Sequence, residues 1–313
     1  MNRKENYIPF ERLANHEHYY HTHSDFFNHS SDMAHAFLME NYSIGMHEQE
    51  FYEINVVTGG EGLHYINNNR VDASVGDVFI IPPRISHGYV GAEGFDVFHV
   101  ILSDEFMNKY IADLQQLPSF YTLFGAEPLM RGKTTNSLHL KLMHDDFVDT
   151  LNILKDFSRH EKYDDQIDGM LRNNFAMICI GLLCNAYTEG SQSVDHLLSE
   201  DHALMKSISY IHERYFEKIT IDDLTRIAHI SRSTYIEKFK EICKMTPSAY
   251  LTKIRIESAA GMLLNTNLSI FEIAYRTGFY DASHFTKIFT QTYNLSPVKY
   301  RNEKNRKSQN SLS

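Results

Sequence analysis

Two sets of side chains in this sequence have the types and spacing to do chemistry, one in each half of the chain. In the N-terminal half, His47 and Glu53 lie in His47-Glu-Gln49-Glu-Phe-Tyr-Glu53, and His87 closes the run Gly76-Asp-Val-Phe-Ile-Ile-Pro82-Pro-Arg84-Ile-Ser-His87. Two imidazoles and a carboxylate can ligate a transition metal. The same groups, with His64, Tyr65 and Arg84, can instead hydrogen-bond the hydroxyls of a small molecule, with Tyr52, Tyr65 and Tyr89 as stacking surfaces. A strand sends successive side chains to opposite faces, so only part of this set can look into one cavity. In the C-terminal half, Ser233, Thr234 and Glu237, and then Ser283, His284 and Lys287, are the outward residues of two helical patterns, with Arg232 and Lys238 beside the first. Such side chains can read base edges. Glu237 can accept from a cytosine amino group and Lys287 can donate to guanine O6 and N7, each contact worth about 1–3 kcal/mol of discrimination. Lys253 and Arg276 are candidates for phosphate contacts, whereas Arg255 reads as structural. No residue is assigned a catalytic role. The histidines of His16-Glu-His18-Tyr-Tyr-His21-Thr-His23 can chelate a metal or sit in an arm over the pocket, but a solvated polar segment is the simplest account.

The C-terminal set rests on an internal repeat. Thr246-Pro247-Ser-Ala-Tyr250 returns as Ser296-Pro297-Val-Lys-Tyr300, and Ser233 and Phe239 return at the same offset as Ser283 and Phe289. Ile227-Ala228 returns as Ile273-Ala274 at a shorter offset, so the second unit has the longer turn. Local rules build each unit. Thr220 caps a helix carrying Ile221, Leu224 and Ile227, with Asp223 in its first turn. Ser231 starts the next, with Tyr235, Phe239 and Ile242 inward. In the second unit Ser269 and Glu272 make a capping box, Gly278 suits a left-handed stop, and Asp281 caps a helix with Phe285, Ile288 and Phe289 inward. Ala228 and Ala274 are small where two helices must cross. A spacer helix over about 247–264 is roughly 25 Å long at 1.5 Å per residue. That can set two recognition helices about one DNA turn (~34 Å) apart.

Upstream, residues 37–44, 50–57, 62–67, 77–82 and 96–102 are short runs rich in β-branched and aromatic residues, which predict an antiparallel barrel or sandwich. Asn67-Asn68-Asn69 and Gly59-Gly60 are candidate hairpin turns. Helices follow: one capped by Asp104 with Phe106, Tyr110 and Leu114 on one face, then 138–160 and 167–187, the last apolar on several faces. This pair can form a dimer interface or pack on the barrel. The expected division is an arm at 1–35, a barrel at 36–103, a helical dimerisation or packing region at 104–189, a linker at 190–203, a helix-turn-helix domain at 204–305 and a basic tail at 306–313.

Charge follows the same division. Residues 1–203 hold 13 basic and 30 acidic residues, a net of −17, and residues 204–313 hold 17 basic and 10 acidic, a net of +7. A basic domain joined to an acidic one is what arises when only one of them meets phosphate. The N-terminus shows no apolar leader, and the most apolar window, 176–183, is shorter than a membrane span. Cys179, Cys184 and Cys243 make no disulfide or metal pattern, which fits a reducing compartment.

On Leu224, Ala228, Ser231, Phe239, Pro247, Tyr250, Arg255, Ile273, Ala274, Gly278, Phe279, Phe285, Phe289, Pro297 and Tyr300, the stretch from about Met205 to Arg301 resembles the DNA-binding domain of the AraC/XylS family of bacterial regulators. The resemblance implies seven helices, with recognition helices near Arg232–Cys243 and Ala282–Tyr293. The family often carries Arg near the Glu237 position, so base preference should differ here. The upstream blocks resemble the two cupin motifs, His-x-His-x3-Glu and Gly-x5-Pro-x-Gly-x2-His. Gln49 stands in place of the second His and Arg84 in place of the glycine. A cupin metal centre takes three His and one carboxylate, and Gln is a poor transition-metal ligand, so neither metal nor cofactor is expected. The expected fold class is α+β multidomain: an N-terminal cupin-like β-barrel with appended helices and a C-terminal all-α tandem helix-turn-helix domain. The expected function is an effector-responsive regulator, an activator, similar to sugar-responsive members such as rhamnose regulators. His47, Glu53, His64, Tyr65, Arg84 and His87 would contact the sugar. The expected partners are double-stranded DNA, a second copy of the chain and RNA polymerase, in the cytoplasm and away from membranes. The alternatives are a metal-dependent cupin enzyme with a DNA-binding appendage, and a constitutive DNA-binding protein whose barrel only dimerises.

Overall fold

A computed structural model describes residues 19–22, 26–27, 33–66, 69–131, 139–160, 166–190 and 200–302. The chain forms two compact units, Met1–Leu197 and Leu198–Ser313.

The first unit is built from strands β1 (Tyr19–His21), β2 (Ala34–Met39), β3 (Ile44–Gln49), β4 (Tyr52–Gly59), β5 (Glu61–Ile66), β6 (Asn69–Ser74), β7 (Asp77–Ile81), β8 (His87–Gly91), β9 (Asp96–Leu102) and β10 (Leu140–Lys141). They form two five-stranded sheets, β1-β3-β8-β5-β6 and β10-β7-β4-β9-β2. Every pairing is antiparallel except β1 with β3. Val57, Phe79, Ile81 and Val97 from one sheet meet Ala73 and Tyr89 from the other, so the barrel core lies between the sheets. The outer face of the second sheet is buried too, through Ile54, Val56, Val78, Ile80, Val100 and Leu102. Helices α1 (Asp104–Leu114), α2 (Glu127–Met130), α3 (His144–Arg159) and α4 (Gln166–Gly190) follow β9, with α3 and α4 packed on β2 and α2 on β7. Strands covered on both faces read as continuous apolar runs, as β7 and β9 do. The first sheet keeps a wetter side, and the accessibility of β6 alternates along its length.

Local details depart from the sequence expectations. The run 37–44 is two strands, β2 and β3, broken by a bend where Asn41 has φ 49°. β6 and β8 lie outside the predicted runs. Gly59-Gly60 is no hairpin, because β4 and β5 belong to different sheets. Instead it turns a corner at which Gly60 has φ 66° and a Cβ would sit 2.5 Å from the Gly94 carbonyl oxygen. Asn67 and Asn68 lie outside the described residues. The cap of α1 is Ser103, which accepts from the Phe106 N–H, with Asp104 one place inside the helix. The predicted helix over 138–160 starts only at His144, because Leu140–Lys141 pairs with β7 as β10. The apolar part of α4 is also longer than the window 176–183. Ile167–Gly190 is long and apolar enough to cross a membrane by length and composition, but half of its most apolar window is buried inside the protein, as in a core helix.

The second unit contains α5 (Glu200–Arg214), α6 (Ile221–Ala228), α7 (Arg232–Cys243), α8 (Pro247–Asn265), α9 (Ile270–Arg276) and α10 (Ala282–Tyr293), and residues 297–302 are helical. These are seven helical segments among the described residues. Their starts are set by caps. Thr220, Ser231, Thr246, Ser269 and Asp281 each accept from the backbone N–H three residues on, and Thr220–Asp223 and Ser269–Glu272 complete capping boxes. The turn into α7 is 229–230 and the turn into α10 is 277–280. At the latter, Phe279 N–H donates to the Ala274 carbonyl and Gly278 N–H to that of Tyr275, a Schellman stop with Gly278 at φ 81°. The rod α8 contributes Ile256, Ala259 and Leu263 to a core with Ile273, Ala274, Phe285 and Phe289. Its Arg255 ties the rod to the end of α5, donating to the Tyr215 and Glu217 carbonyls at 2.7 and 2.8 Å.

Candidate functional site

The polar face of the second unit follows from these helices. In α7, Tyr235, Phe239 and Ile242 are buried, which leaves Arg232, Ser233, Thr234 and Glu237 exposed and Lys238 half-buried. In α10, Phe285 and Phe289 are buried while Ser283, His284 and Lys287 are exposed. Part of the first group is engaged locally. Ser231 Oγ lies 3.1 Å from Ser233 Oγ and 2.8 Å from Thr234 Oγ1, and Arg232 reaches Asp222 at 3.5 Å on the surface. Ala282, Ser283, Thr286, Lys287, Thr290 and Gln291 line one open groove along α10. Thr286, Thr290 and Gln291 were missed by the sequence reading. Their spacing of three and four from Ser283, opposite Phe285 and Phe289, is the signal that could have found them.

The barrel interior gathers a second set. Residues paired directly across a sheet share a face, and the registers His47↔His87, Ile66↔His87, His64↔Tyr89, Asn55↔His99 and Glu53↔Ile81 put His47, Glu53, Asn55, His64, His87, Tyr89 and His99 inward. Gln49, two places from His47, joins them. All seven and Gln49 are buried. His99 Nδ1 donates to Glu53 Oε1 at 2.6 Å, and His87 Nε2 lies 3.1 Å from Glu53 Oε2. His47, Glu53 and His87 bring one donor atom each within 4.8 Å of one another. The His64 ring stacks on Tyr89 at 4.5 Å. On the N-terminal segment, His21 of β1 lies edge-on to His47, with ring centroids 5.4 Å apart. His16, His18 and His23 lie outside the described residues.

Burial sets the protonation of this cluster. It works against ionising Glu53, but the His87 and His99 rings beside it outweigh that and hold the carboxyl well below its ordinary range. Burial, then the neighbouring His87, lowers His47 to about 4. Burial and the Arg131 guanidinium push His64 well below its ordinary value. The imidazoles of His47 and His64 are therefore neutral at pH 7 and free to accept or ligate.

Two members of the predicted pocket stand elsewhere. Tyr65 follows the inward His64 and so faces the other side of the sheet, in a cluster with Met46, Val90 and Leu63. Arg84 is exposed in the turn between β7 and β8, at φ 62°, with its backbone N–H bonded to the Gln49 carbonyl at 2.8 Å. Tyr52 also points away from the interior, 6.5 Å from Phe124. Gln49, Asn55 and His99 take the missing places. A polar residue inside an apolar run, as in Ile54-Asn55-Val56 and Phe98-His99-Val100, was the available signal.

Two protein families match this chain in succession. The AraC-like ligand binding domain matches residues 31–218, more than half of the chain, and a helix-turn-helix domain matches residues 224–303. The chain belongs to the AraC family of transcription regulators. Relatives of this AraC-type chain include an uncharacterized HTH-type transcriptional regulator, YdeC of Bacillus subtilis. It is 25% identical over 264 residues, 83% of this chain and 87% of that protein. The transcriptional activator RhaS of Escherichia coli is 23% identical over 251 residues, 80% of this chain and 85% of that protein. Among solved structures, the DNA-binding domain of AdpA in complex with a target DNA is 25% identical with a TM-score of 0.32, covering 32% of this chain and 91% of that one. The matched domains and these relatives are regulators, so the enzyme alternative finds no support.

Proposed function

We propose that this AraC-type regulator is an effector-gated activator that works as a homodimer on double-stranded DNA in the cytoplasm and engages RNA polymerase there. The observation that carries the reading is the pair α7 and α10. Both are capped at their first turn, both expose polar first-turn residues, and one rod, α8, packs on both. Arg232, Ser233, Thr234, Glu237 and Lys238 would contact DNA from the first, and Ser283, His284 and Lys287 from the second. The charge split between the halves supports phosphate contact by this unit alone. Activation rests on likeness to RhaS and to the activator RhaR of Mannheimia succiniciproducens, 21% identical over 256 residues.

The effector reading places a sugar-type molecule against His47, Glu53, His64 and His87, with Gln49 and Asn55 added. Its support is buried polar atoms that lack hydrogen-bond partners: both amide atoms of Gln49, Asn55 Oδ1 and both ring nitrogens of His64. A hydroxyl-rich ligand supplies partners to such atoms. For the dimer, support comes from α4, where Ile167, Met170 and Ile178 are exposed along one side of a helix whose other side is core. A second copy of this helix would cover them. In this division of labour the barrel at 36–103 senses, 104–189 dimerises, 190–203 links and 204–305 binds DNA. An effector gates such an arrangement only by binding two states with different affinity.

The test combines gel shifts on the chain's own promoter region with thermal shifts against a panel of sugars. A sugar that prefers the folded state raises the melting temperature and changes the salt-dependent DNA affinity. Absence of specific DNA binding under every condition ends the regulator reading at this site, and absence of any sugar-induced shift ends the sugar.

A further inference from the structure

We propose that Tyr280, in the turn before α10, contacts the sugar-phosphate backbone of DNA. Its ring packs on a deoxyribose, and its hydroxyl donates to a phosphate beside the groove that α10 enters. The inference rests on the reading of α10 as a recognition helix and adds to it a residue that reads no base.

The first argument is that folding makes no use of this side chain. Tyr280 directly precedes the capping residue Asp281. From that place an apolar side chain commonly folds back onto the fourth residue of the helix, here Phe285. In the first repeat Ile230 holds the matching place before Ser231 and is half-buried. In the second repeat the residue one step earlier covers the helix instead: Phe279 is buried and lies edge-on to Phe285, with ring centroids 5.3 Å apart. Tyr280 is left fully exposed, at 101%, and no hydrogen bond or ring contact holds its side chain among the described residues. A large aromatic ring left wholly in water marks a surface that meets a partner.

Placement is the second argument, and it selects the partner. The chain on both sides of Tyr280 is fixed. Gly278 sits so close to the Tyr215 and Phe216 carbonyls that a Cβ would lie 2.9 Å from each oxygen, and Asp281 accepts from the His284 N–H at 2.7 Å. Tyr280 therefore stands at the end of α10 that carries Ser283 and His284, the end that a recognition helix presents to the groove. The two backbone strands border that groove, within reach of a side chain one step outside the helix. The third argument is the shortage of cations. α10 carries Lys287 as its single amine, whereas α7 carries Arg232, Lys238 and Lys240. About half or more of the hydrogen bonds between proteins and DNA go to phosphate and sugar, and tyrosine hydroxyls are among the donors. A phenol supplies such a bond without charge, and its apolar ring can cover a sugar at the same time.

The experiment measures the affinity of the full chain for its promoter duplex, and for duplexes altered at single base pairs, over a range of salt concentrations. Tyr280→Phe should weaken binding about 3–30-fold, and Tyr280→Ala should weaken it further. The loss should be the same on every duplex, because a backbone contact carries no sequence information. A neutral donor releases no counterion, so the salt slope of Tyr280→Phe should match that of the wild type. Tyr280→Lys should recover affinity at low salt and steepen the slope by about 1. Melting temperatures should not change in any of the three. Wild-type affinity in Tyr280→Phe overturns the proposal. So does a loss confined to one base pair, which makes Tyr280 a base reader, or a lowered melting temperature in Tyr280→Phe, which gives the side chain a structural role. Unchanged affinity with transcription lost in Tyr280→Ala overturns it too, and assigns the ring, with Phe271 and Tyr275 exposed on α9, to a protein partner. Lys287→Ala, measured in parallel, separates this proposal from the reading beneath it. A loss there with none in the Tyr280 variants unseats Tyr280 alone, and no loss in either unseats α10 as a recognition helix as well.

Discussion

At matched positions α7 buries Tyr235 and Phe239 where α10 buries Phe285 and Phe289, and the helices end on left-handed Lys244 and Asn294. Their outward faces part company. α7 exposes Ser233, Glu237, Lys240 and Glu241 where α10 exposes Ser283, Lys287, Thr290 and Gln291. α7 sets two carboxylates, Glu237 and Glu241, among Arg232, Lys238 and Lys240, whereas α10 carries the single amine Lys287 and no carboxylate. The repeat thus preserves packing and caps while the readout has diverged. Near a polyanion both faces carry attractive charge, and the two carboxylates of the first oppose it unless they meet particular base edges. The turns differ in the same spirit: His229 stands left-handed at φ 53° before α7, and Gly278 at φ 81° before α10.

The turns give the largest expected effect. A Cβ on Gly278 would lie 2.9 Å from the carbonyl oxygens of both Tyr215 and Phe216 and 3.0 Å from Arg255 Nε. Gly278→Ala therefore combines a left-handed backbone, about 1–2 kcal/mol, with overpacking, about 1–3 kcal/mol. A loss of about 2–5 kcal/mol is expected in urea denaturation of the second unit's transition. His229→Gly should stay within about 1 kcal/mol, because relief of the left-handed strain is offset by the entropy of a glycine. Equal costs at the two turns would show that the second helix-turn-helix repeat is not locked to the segment following α5 through this contact.

Helix starts were legible because caps are local: Thr220, Ser231, Thr246, Ser269 and Asp281 act on the N–H three residues on. The barrel was legible as strands but not as an interior. Parity within a strand separates His64 from Tyr65, yet which of the two faces inward depends on pairing with β8, a non-local fact. His99 and Asn55 were hidden by strands buried on both faces, where hydrophobic alternation vanishes. Arg84 was misplaced because a motif position fixed its order in the chain and not the turn that carries it outward.

Readout gives the middle effect. Lys287→Ala should relax preference at one base pair by about 1–3 kcal/mol and leave the other positions unchanged. Glu237→Gln should do the opposite to selectivity on random duplex. With a carboxylate gone from the face, non-specific affinity should rise by roughly a few-fold at low salt and the gain should fade as salt screens it. Binding-site selection on both variants, at two salt concentrations, measures the pair. A uniform loss across sequences for Lys287→Ala would make it a phosphate contact, and unchanged random-duplex affinity for Glu237→Gln would place that carboxylate away from DNA.

The smallest effect lies in the two capping boxes, Thr220–Asp223 and Ser269–Glu272. Bonds from the Thr220 hydroxyl and then its N–H lower Asp223 below 3.8, and bonds from the Ser269 N–H and then its hydroxyl lower Glu272 below 4.5. A carboxyl whose folded pKa is depressed stabilises fully above the unfolded value, and that contribution is lost as pH falls through the folded one. The loss therefore belongs to acid below about pH 4–5, and it begins at higher pH for Glu272 of the second helix-turn-helix repeat than for Asp223 of the first. Both carboxyls are solvent-exposed, so each contribution is small. Melting temperatures from pH 7 down to 3 should fall less steeply in Glu272→Gln and Asp223→Asn than in the wild type, with the Glu272→Gln curve departing first. Parallel curves in all three proteins would mean that the boxes are geometry without linkage, and a reversed order would mean that the two units do not share one capping chemistry.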